Sequence, residues 1–293
     1  MSGPTSVSAV VVTYNRLPLL RECLTALAEQ TRPPDRVIVV DNASTDGTPE
    51  AVRSEFPAAD LLALPENVGG AGGFHEGLKL AHADGAEWIW LMDDDTIPTP
   101  TALAELLAAP AAIGGMARPQ LLSSRTLWRD GRLHPMNEPS FKREPEHFVE
   151  SCERGVLPLR MATFVSLLVH RSAVDEFGLP LKHYFIWSDD IEYTARVLRD
   201  RDVGYFVPDS VVEHRTKAAH TAVTETGGRF YYHVRNSLYM MRGPAWNLRE
   251  KLSLVWALVF TTQIYLRHNR FARANLAIVA RGLRDGVRAQ PRG

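Results

Sequence analysis

Apolar residues recur along this chain in two rhythms. Val7 to Val12 and Val37 to Val40 are short β-branched runs without alternation, the pattern of strands buried on both faces of a parallel sheet. Between them Leu19, Leu20, Cys23, Leu24 and Leu27 fall at helical spacing, and Pro33-Pro34 closes the segment, which predicts a right-handed strand-helix-strand unit. The polar cluster after Asn42 predicts a turn, with Thr48 capping a helix that has Pro49 in its first position. Leu61 to Leu64 reads as a third strand, a helix follows from about Phe74, and Trp88 to Met92 reads as a fourth strand. Strand and helix alternate, so the first half predicts an open α/β sheet with parallel strands.

The pattern then changes. Residues 118–160 carry Arg, Pro, His and Glu without periodicity and predict a long surface excursion. "MATFVSLLVHRSAVDEFG" returns to strand then helix, with His170 in a structural role. "SDDIEYTARVLRDRD" is a helix with Ser188 as its expected N-cap and two acids in its first turn. Val203 to Val207 is a further strand, and from Arg229 onward the chain reads as helical and rich in aromatic residues and arginine.

Composition narrows the function. With 293 residues, 45% hydrophobic and 23% charged, the chain has the make-up of a soluble globular protein. A net charge of −1 gives no basic field for nucleic acid. Cys23 and Cys152 fit no zinc or redox spacing and suit a reducing compartment. The N-terminal residues lack the basic start of a signal peptide. Leu252 to Leu266 is the longest uncharged apolar stretch, too short to span a bilayer with ease. Arg249, Lys251, Arg267, Arg270 and Arg273 flank it, so it is either a buried helix or one lying on an anionic membrane surface.

In open parallel sheets, ligands bind beyond the carboxyl ends of the strands. Those ends carry Thr13, Tyr14, Asn15 and Arg16; Asp41 and Asn42; Asn67 with the glycines that follow; and Asp93, Asp94 and Asp95. Three adjacent carboxylates repel one another, and a hard divalent cation explains them. Asp93 and Asp95 point the same way in an extended segment. A helix cap before "TPTALAELL" is the plainer reading, but one Asp would serve for it. The run from Asn67 to Phe74, with Gly70 among its four glycines, matches neither a dinucleotide fingerprint nor a Walker loop. It either brings backbone close to a ligand or lets a helix pack closely on the sheet.

Taken in order, "VSAVVVTYNR", "VIVVDNASTDGT", "WLMDDD" and "IWSDDIEYTAR" resemble family 2 inverting glycosyltransferases of the GT-A fold, and "NVGGAGGF" is similar to the segment in bacterial galactofuranosyltransferases and rhamnosyltransferases that build cell-wall polysaccharide. The resemblance implies a Rossmann-like, mostly parallel central sheet flanked by helices over residues 1–220, and a helical extension over 221–293. It implies that Asp41 contacts the nucleotide base, with Thr13, Tyr14, Asn15, Arg16, Asn67 and Gly70 about the donor. Asp93 and Asp94 would meet the nucleotide sugar, and Asp93 and Asp95 would hold Mn²⁺ or Mg²⁺ on the diphosphate, completed by His214 or, less well matched, His220. The catalytic base falls on the pair Asp189-Asp190, with Asp190 chosen by its spacing to Glu192 and Arg196; dressing a helix start is the plainer role for the pair. The implied partners are a UDP- or dTDP-linked donor and a glycan or lipid-linked saccharide acceptor, met peripherally at the cytoplasmic membrane face.

Single displacement with inversion needs a carboxylate to take the acceptor hydroxyl's proton on the face opposite the leaving diphosphate, a contribution of roughly 10²–10⁴-fold. Trp187 beside the pair is either a platform for an acceptor sugar or a core residue. "RFYYHVRNSLYMMR" resembles a segment that follows the GT-A core in these relatives, so Tyr231, Tyr232, Arg235 and Asn236 either close over the diphosphate or simply form a helix with a mixed face. Two other classes compete. A GT-A-like subunit could bind a nucleotide sugar without turnover, although acids at every expected place argue for catalysis. A nucleotidyltransferase would carry a glycine-rich loop after the first strand, where "TYNRLPLL" has no glycine.

Overall fold

The computed structural model describes residues 5–114, 118–216 and 228–288. The first half follows the alternation read from the sequence: β1 (Val7–Thr13), α1 (Leu17–Ala28), β2 (Arg36–Asp41), α2 (Thr48–Glu55), β3 (Ala59–Ala63), α3 (Gly69–Ala83) and β4 (Trp88–Asp93). The strands lie in the order β3-β2-β1-β4, all parallel. Every residue of β1 is buried. Val7, Ala9 and Val11 pack on one face with Leu20, Leu24 and Leu27 of α1, while Val10 and Val12 pack on the other with Phe74 and Leu78 of α3. Period-two alternation with both faces apolar is what produced the unbroken hydrophobic run.

The glycines of α3 serve that packing. A Cβ at Gly73 would lie 2.5 Å from Val12 Cγ1, and one at Gly77 would lie 2.4 Å from Val10 Cγ1. These two residues, one helical turn apart, let the helix backbone rest on β1. Helix α3 therefore starts at Gly69, several residues before the expected Phe74, with the glycine run inside it. Gly70 differs from the others, since a Cβ there would meet nothing within 4 Å. At α2 the expected cap also moves. Asp46, not Thr48, accepts the first-turn N–H, at 3.2 Å, along with the Thr48 hydroxyl at 2.6 Å.

The second half continues the sheet. After β5 (Thr96–Pro98) and α4 (Ala102–Ile113) come β6 (Leu121–Leu127), β7 (Ser140–Phe141), α5 (Pro145–Glu153), β8 (Leu157–Met161), β9 (Leu167–His170), α6 (Arg171–Phe177), α7 (Asp189–Leu198) and β10 (Gly204–His214). The order runs on from β4 as β9-β6-β10-β8-β7, with β5 on β10. Here antiparallel pairs enter: β4 with β9, β9 with β6, β10 with β8 and β7 with β8. Residues 118–160 are thus not a surface excursion. The strand β6 was concealed by buried polar residues, Ser123, Ser124 and Thr126. Ser124 Oγ lies 2.7 Å from Ser166 Oγ and 2.7 Å from Ser210 Oγ, so its burial is satisfied by hydroxyl partners. His170 is the N-cap of α6, accepting from Ser172 N at 3.2 Å.

Three helices close the described chain: α8 (Phe230–Arg242), α9 (Leu248–His268) and α10 (Arg273–Arg288). Phe230 and Tyr265 stack at 3.8 Å between α8 and α9. The other end of α8 packs through Tyr239 and Met240 against Ala71 of α3, Tyr184 and Ala195 of α7. Much of α9 is uncovered; Leu248, Trp256 and Phe260 are 75%, 72% and 64% exposed. Among the described residues, no helix is long and apolar enough to cross a membrane.

The glycine contrast is testable. Gly77→Ala should destabilise the fold by about 1–3 kcal/mol through overpacking. Gly70→Ala should be neutral or stabilising by about 0.5–1 kcal/mol, as expected for Ala over Gly inside a helix. Urea unfolding of the two variants checks the order, and equal losses would contradict the packing role.

Candidate active site

The parallel strands β1, β2 and β4 end on one rim, and the chain turns there through left-handed residues Asn15 and Ala43. Asp41 is 1% exposed; its Oδ2 accepts Ser44 N–H at 3.1 Å, while Oδ1 has no partner. Asn42 Oδ1 beside it is also buried without a partner. Unpaired buried acceptors are costly, so a donor supplied by a ligand is a natural complement. Asn15 braces the neighbouring turn, its Oδ1 accepting Thr45 N–H at 2.7 Å, and Tyr14 stands exposed above it.

The three aspartates at the tip of β4 have different surroundings. Asp94 turns back toward β1: Thr13 Oγ1 donates to it at 2.7 Å, and Arg16 Nη1 at 3.3 Å. The same Arg16 nitrogen lies 2.7 Å from Asp95 Oδ2. Asp93 and Asp95 instead meet His214 across the sheet, and one ligand atom from each of the three lies within 4.8 Å of the others. Topology makes this meeting. Strand β5 begins one residue after Asp95 and pairs antiparallel with β10, with Thr96 opposite His214, while Arg215 N–H donates to Asp95 O at 2.8 Å.

This donor set fits a divalent cation. Asp95 Oδ1 is 3.1 Å from His214 Nε2 yet off the line of a hydrogen bond, so it is buried and unsatisfied. His214 Nδ1 contacts Asn137 Oδ1 at 2.8 Å, an arrangement that fixes the ring and leaves Nε2 toward the acids. Two carboxylates and one imidazole suit Mn²⁺, and Mg²⁺ less well. The electrostatics agree. Burial and then Asp95 push Asp93 up to about 6, against the opposing charges of His214 and Arg16. Burial pushes Asp94 to about 7 despite Arg16. Burial also works against ionisation of Asp95, but His214 and Arg16 outweigh it and hold Asp95 below its ordinary value. Burial lowers the affinity of His214 for a proton, but Asp95 and Asp93 outweigh this and raise its pKa.

The second acidic cluster begins α7. Asp190 Oδ1 accepts Ile191 N–H at 2.7 Å. Burial pushes Asp190 up to about 6, relieved by the Ile191 amide and raised again by the charge of Asp93. Asp189 is 6% exposed, and burial followed by repulsion from Asp190 drives it well above the carboxylate range. The pair therefore resists ionising together, and Asp190 is the member that ionises more readily. Asp93 acts on both, so the tip of β4 and the start of α7 share one electrostatic site.

The loop leading to the pair is strained. Phe185 has φ 66° and ψ −60°, and Ile186 N–H donates to Tyr184 O at 2.8 Å, a γ-turn of the rare positive-φ type. Trp187 and Ser188 follow at φ 64° and 69°. Such conformations cost on the order of 1–3 kcal/mol each and persist only where neighbours enforce them. Ser188 consequently occupies the N-cap position with no side-chain capping bond, contrary to the sequence expectation.

The geometry thus gathers Thr13, Arg16, Asp93, Asp94, Asp95 and His214 into one network. Asn67 is a turn residue whose Oδ1 accepts Gly69 N–H at 2.8 Å. Trp187 is half-buried beside the acid pair. Arg235 and Asn236 reach the carbonyls of the 183–187 loop instead of standing open toward a diphosphate. Sequence reading missed Asn137 and His134. His134 lies 4.8 Å from His214 ring to ring, and burial, followed by the His214 charge, lowers it to about 4. Both sit in the segment taken for irregular surface, where no periodicity marked them. His220 lies outside the described residues.

A parallel-sheet rim with buried acceptors at β2, a carboxylate-histidine triad at β4 and an acid pair nearby is the arrangement of a nucleotide-sugar transferase. Residues 8–138 match the model of glycosyl transferase family 2. Galactofuranosyltransferase GlfT1 of Mycolicibacterium smegmatis is 29% identical over 280 residues, covering 87% of this chain and 89% of that protein. The N-acetylglucosaminyl-diphospho-decaprenol L-rhamnosyltransferase of Mycobacterium tuberculosis is 27% identical, covering 84% and 90%. In fold, the chain resembles S. aureus TarS 1-349 in complex with UDP-GlcNAc at a TM-score of 0.64 and 16% identity, over 98% of this chain and 82% of that one. Residues 8–138 thus carry a glycosyl transferase family 2 domain, and the chain is an enzyme that transfers a sugar from a nucleotide-sugar donor.

Cation binding at the triad must displace protons from Asp93 and His214. Mn²⁺ should therefore raise the melting temperature more at about pH 7.5 than at about pH 5.5. Asp95→Ala should remove the increment at both. Scanning fluorimetry with and without Mn²⁺ checks this, and an increment independent of pH and of Asp95 would contradict the assignment.

Proposed function

We propose that this enzyme is a metal-dependent inverting hexosyltransferase with Asp190 as its base. The donor is a UDP-linked sugar, galactofuranose first, with dTDP-rhamnose second. The acceptor is a saccharide, glycan or polyprenyl-linked, at the cytoplasmic face of a membrane. One observation carries the reading: Asp93, Asp95 and His214 bring ligand atoms within 4.8 Å of one another at the carboxyl end of β4, and the charge of Asp93 also bears on the carboxyl of Asp190. On this reading the cation site and the proton acceptor lie on either side of one sugar, as a single displacement requires. The relatives, a galactofuranosyltransferase and an N-acetylglucosaminyl-diphospho-decaprenol L-rhamnosyltransferase, support the donor and acceptor classes.

The residues divide the work as follows. Asp41 and the backbone about Thr13, Tyr14 and Asn15 receive the nucleotide. Asn67 and Gly70, at the exposed start of α3, border the donor. Asp93, Asp95 and His214 hold Mn²⁺ or Mg²⁺, and a bound cation supplies neutralising charge for the departing diphosphate. Arg16 keeps Asp94 and Asp95 oriented through its two contacts. The acceptor oxygen attacks the anomeric carbon, its proton passes to the Asp190 carboxylate, and the bond from that carbon to the diphosphate oxygen breaks. Configuration inverts and the nucleoside diphosphate leaves with the electron pair. Burial and the neighbouring Asp190 favour the protonated form of Asp189, which leaves Asp190 the readier of the pair to ionise. Trp187 offers a face to the acceptor.

Helices α9 and α10 support membrane contact. Between Leu248 and Arg288 there are eight Lys or Arg against two acids, in a chain of net charge −1. Exposed Leu252, Trp256 and Phe260 share that region, and basic charge beside exposed apolar side chains suits an anionic interface.

Asp190→Asn should lower kcat by roughly 10²–10⁴-fold while donor affinity stays within about twofold. Assaying nucleotide sugars with Mn²⁺ checks this, and normal turnover by the variant would move the base elsewhere. For the wild type with Mn²⁺, the rate of transfer should fall about tenfold per pH unit below an acid limb that lies above the ordinary carboxylate range, because burial raises the base even after a cation offsets the charge of Asp93. An acid limb near pH 4 would contradict the raised value. In co-sedimentation at low salt, the wild type should pellet with anionic but not neutral vesicles, and Trp256→Ala should release it severalfold. Equal binding to both vesicle types would overturn the membrane contact.

A further inference from the structure

We propose that Asn236 of α8 is a positioning residue for the acid pair, acting by holding the left-handed turn from Phe185 to Ser188. The inference rests on the reading of Asp190 as the base. Asn236 is 0% exposed, and its side-chain amide nitrogen faces three backbone carbonyls of one loop: Tyr184 O at 3.1 Å, Ile186 O at 2.9 Å and Trp187 O at 2.8 Å. Its Oδ1 accepts from Arg235 Nε at 3.0 Å and Nη2 at 2.9 Å. Arg235 Nη2 in turn donates to His183 O at 2.9 Å and Tyr184 O at 2.7 Å. The guanidinium is held over the rings of Tyr231, Tyr232 and Tyr239 at 5.4, 4.9 and 5.2 Å. Two consecutive side chains of a helix far along the chain therefore bind four carbonyls of this loop, those of His183, Tyr184, Ile186 and Trp187.

These carbonyls need such a partner. A segment with φ of 66° at Phe185, 64° at Trp187 and 69° at Ser188 makes no repeating backbone ladder, and its carbonyls face inward. The amide and the guanidinium supply the missing donors. Release of the turn would let Asp189 and Asp190 move together, since Ser188 immediately precedes them and contributes no capping bond of its own.

The same loop also touches the donor side. Phe185 O accepts Ala71 N–H at 3.2 Å, and a Cβ on Gly69, at φ +75°, would fall 2.0 Å from that oxygen. Phe185 stacks on Tyr232 of α8 at 5.1 Å. The start of α3, the loop and α8 are thus locked together, so this loop joins the helical extension to the acid pair. An Asn buried only to cap or fill would touch fewer carbonyls and none in so strained a segment.

The test combines kinetics with amide hydrogen exchange. Asn236→Ala should lower kcat for transfer on the order of 10²-fold, as misplacement of a reacting group by about 1 Å does. UDP affinity with Mn²⁺ should change by less than about twofold. Exchange of the amides from Phe185 to Ile191 should rise, while that of β1 and β4 stays as in the wild type. Arg235→Lys keeps the charge, loses the fork, and should move the same readouts by less; it carries the test if the alanine variant does not fold. Unchanged kcat per folded molecule, donor affinity falling in step with kcat, or unchanged exchange in the loop would each overturn the proposal. A wild-type protein that transfers no sugar from any nucleotide donor would sink the base assignment instead, and the exchange comparison would still decide whether Asn236 holds the turn.

Discussion

Negative charge crowded at the end of β4 is the constraint to which the rest of the molecule answers. Of three consecutive carboxylates there, Asp94 and Asp95 are nearly removed from water and Asp93 is partly so, and burial of each ionised group is costly without compensation. The structure treats each differently. Asp94 is tied to β1 by Thr13 and Arg16, and so fastens two strand ends together. Asp95 is held ionised by His214 and Arg16. Asp93 has opposing charge only from those same two groups and stays raised. A cation between Asp93, Asp95 and His214 would complete the balance. Because Asp93 also raises Asp190, neutralising it would make that carboxylate easier to ionise, which couples the triad to the start of α7.

The second half of the chain exists, on this view, to complete what the first half starts. Strand β10 runs parallel to β6 through the sheet and shifts register between Val207 and Val211. It then pairs with β5, and that pairing delivers His214 to the acidic tip. Asn137, from the segment between β6 and β7, steadies the histidine. The acid pair arrives by another route, at the start of α7, through a turn bonded by Arg235 and Asn236 of α8 and by Ala71 of α3. Strand ends thus carry the carboxylate-histidine triad, while the acid pair sits at the end of a strained connection.

Much of this was legible from residue order. The β-branched runs of β1 and β2, the apolar β4 and the acids at their ends mark the rim because a parallel sheet puts all such ends on one side. The motifs in sequence also identified Asp93, Asp95 and His214 as one group, though about 120 positions separate them. What stayed hidden was hidden for physical reasons. The strand β6 reads as polar because its buried hydroxyls are satisfied by Ser166 and Ser210, which lie far away in sequence. The glycines of α3 left packing and ligand approach equally open; only the 2.4–2.5 Å clashes at Gly77 and Gly73 separate them, leaving Gly70 unclaimed. Positive φ at Phe185, Trp187 and Ser188 has no glycine or asparagine to announce it, since tertiary bonds from Asn236 enforce it.

The account turns on a cation held by the triad beside the nucleotide. Pulsed electron paramagnetic resonance of Mn²⁺ bound to the protein with UDP addresses this directly. The account predicts one strongly coupled imidazole nitrogen together with phosphorus couplings, the nitrogen signal disappearing in His214→Ala. Mn²⁺ whose spectrum shows only water protons, or a nitrogen coupling that survives the substitution, would contradict it.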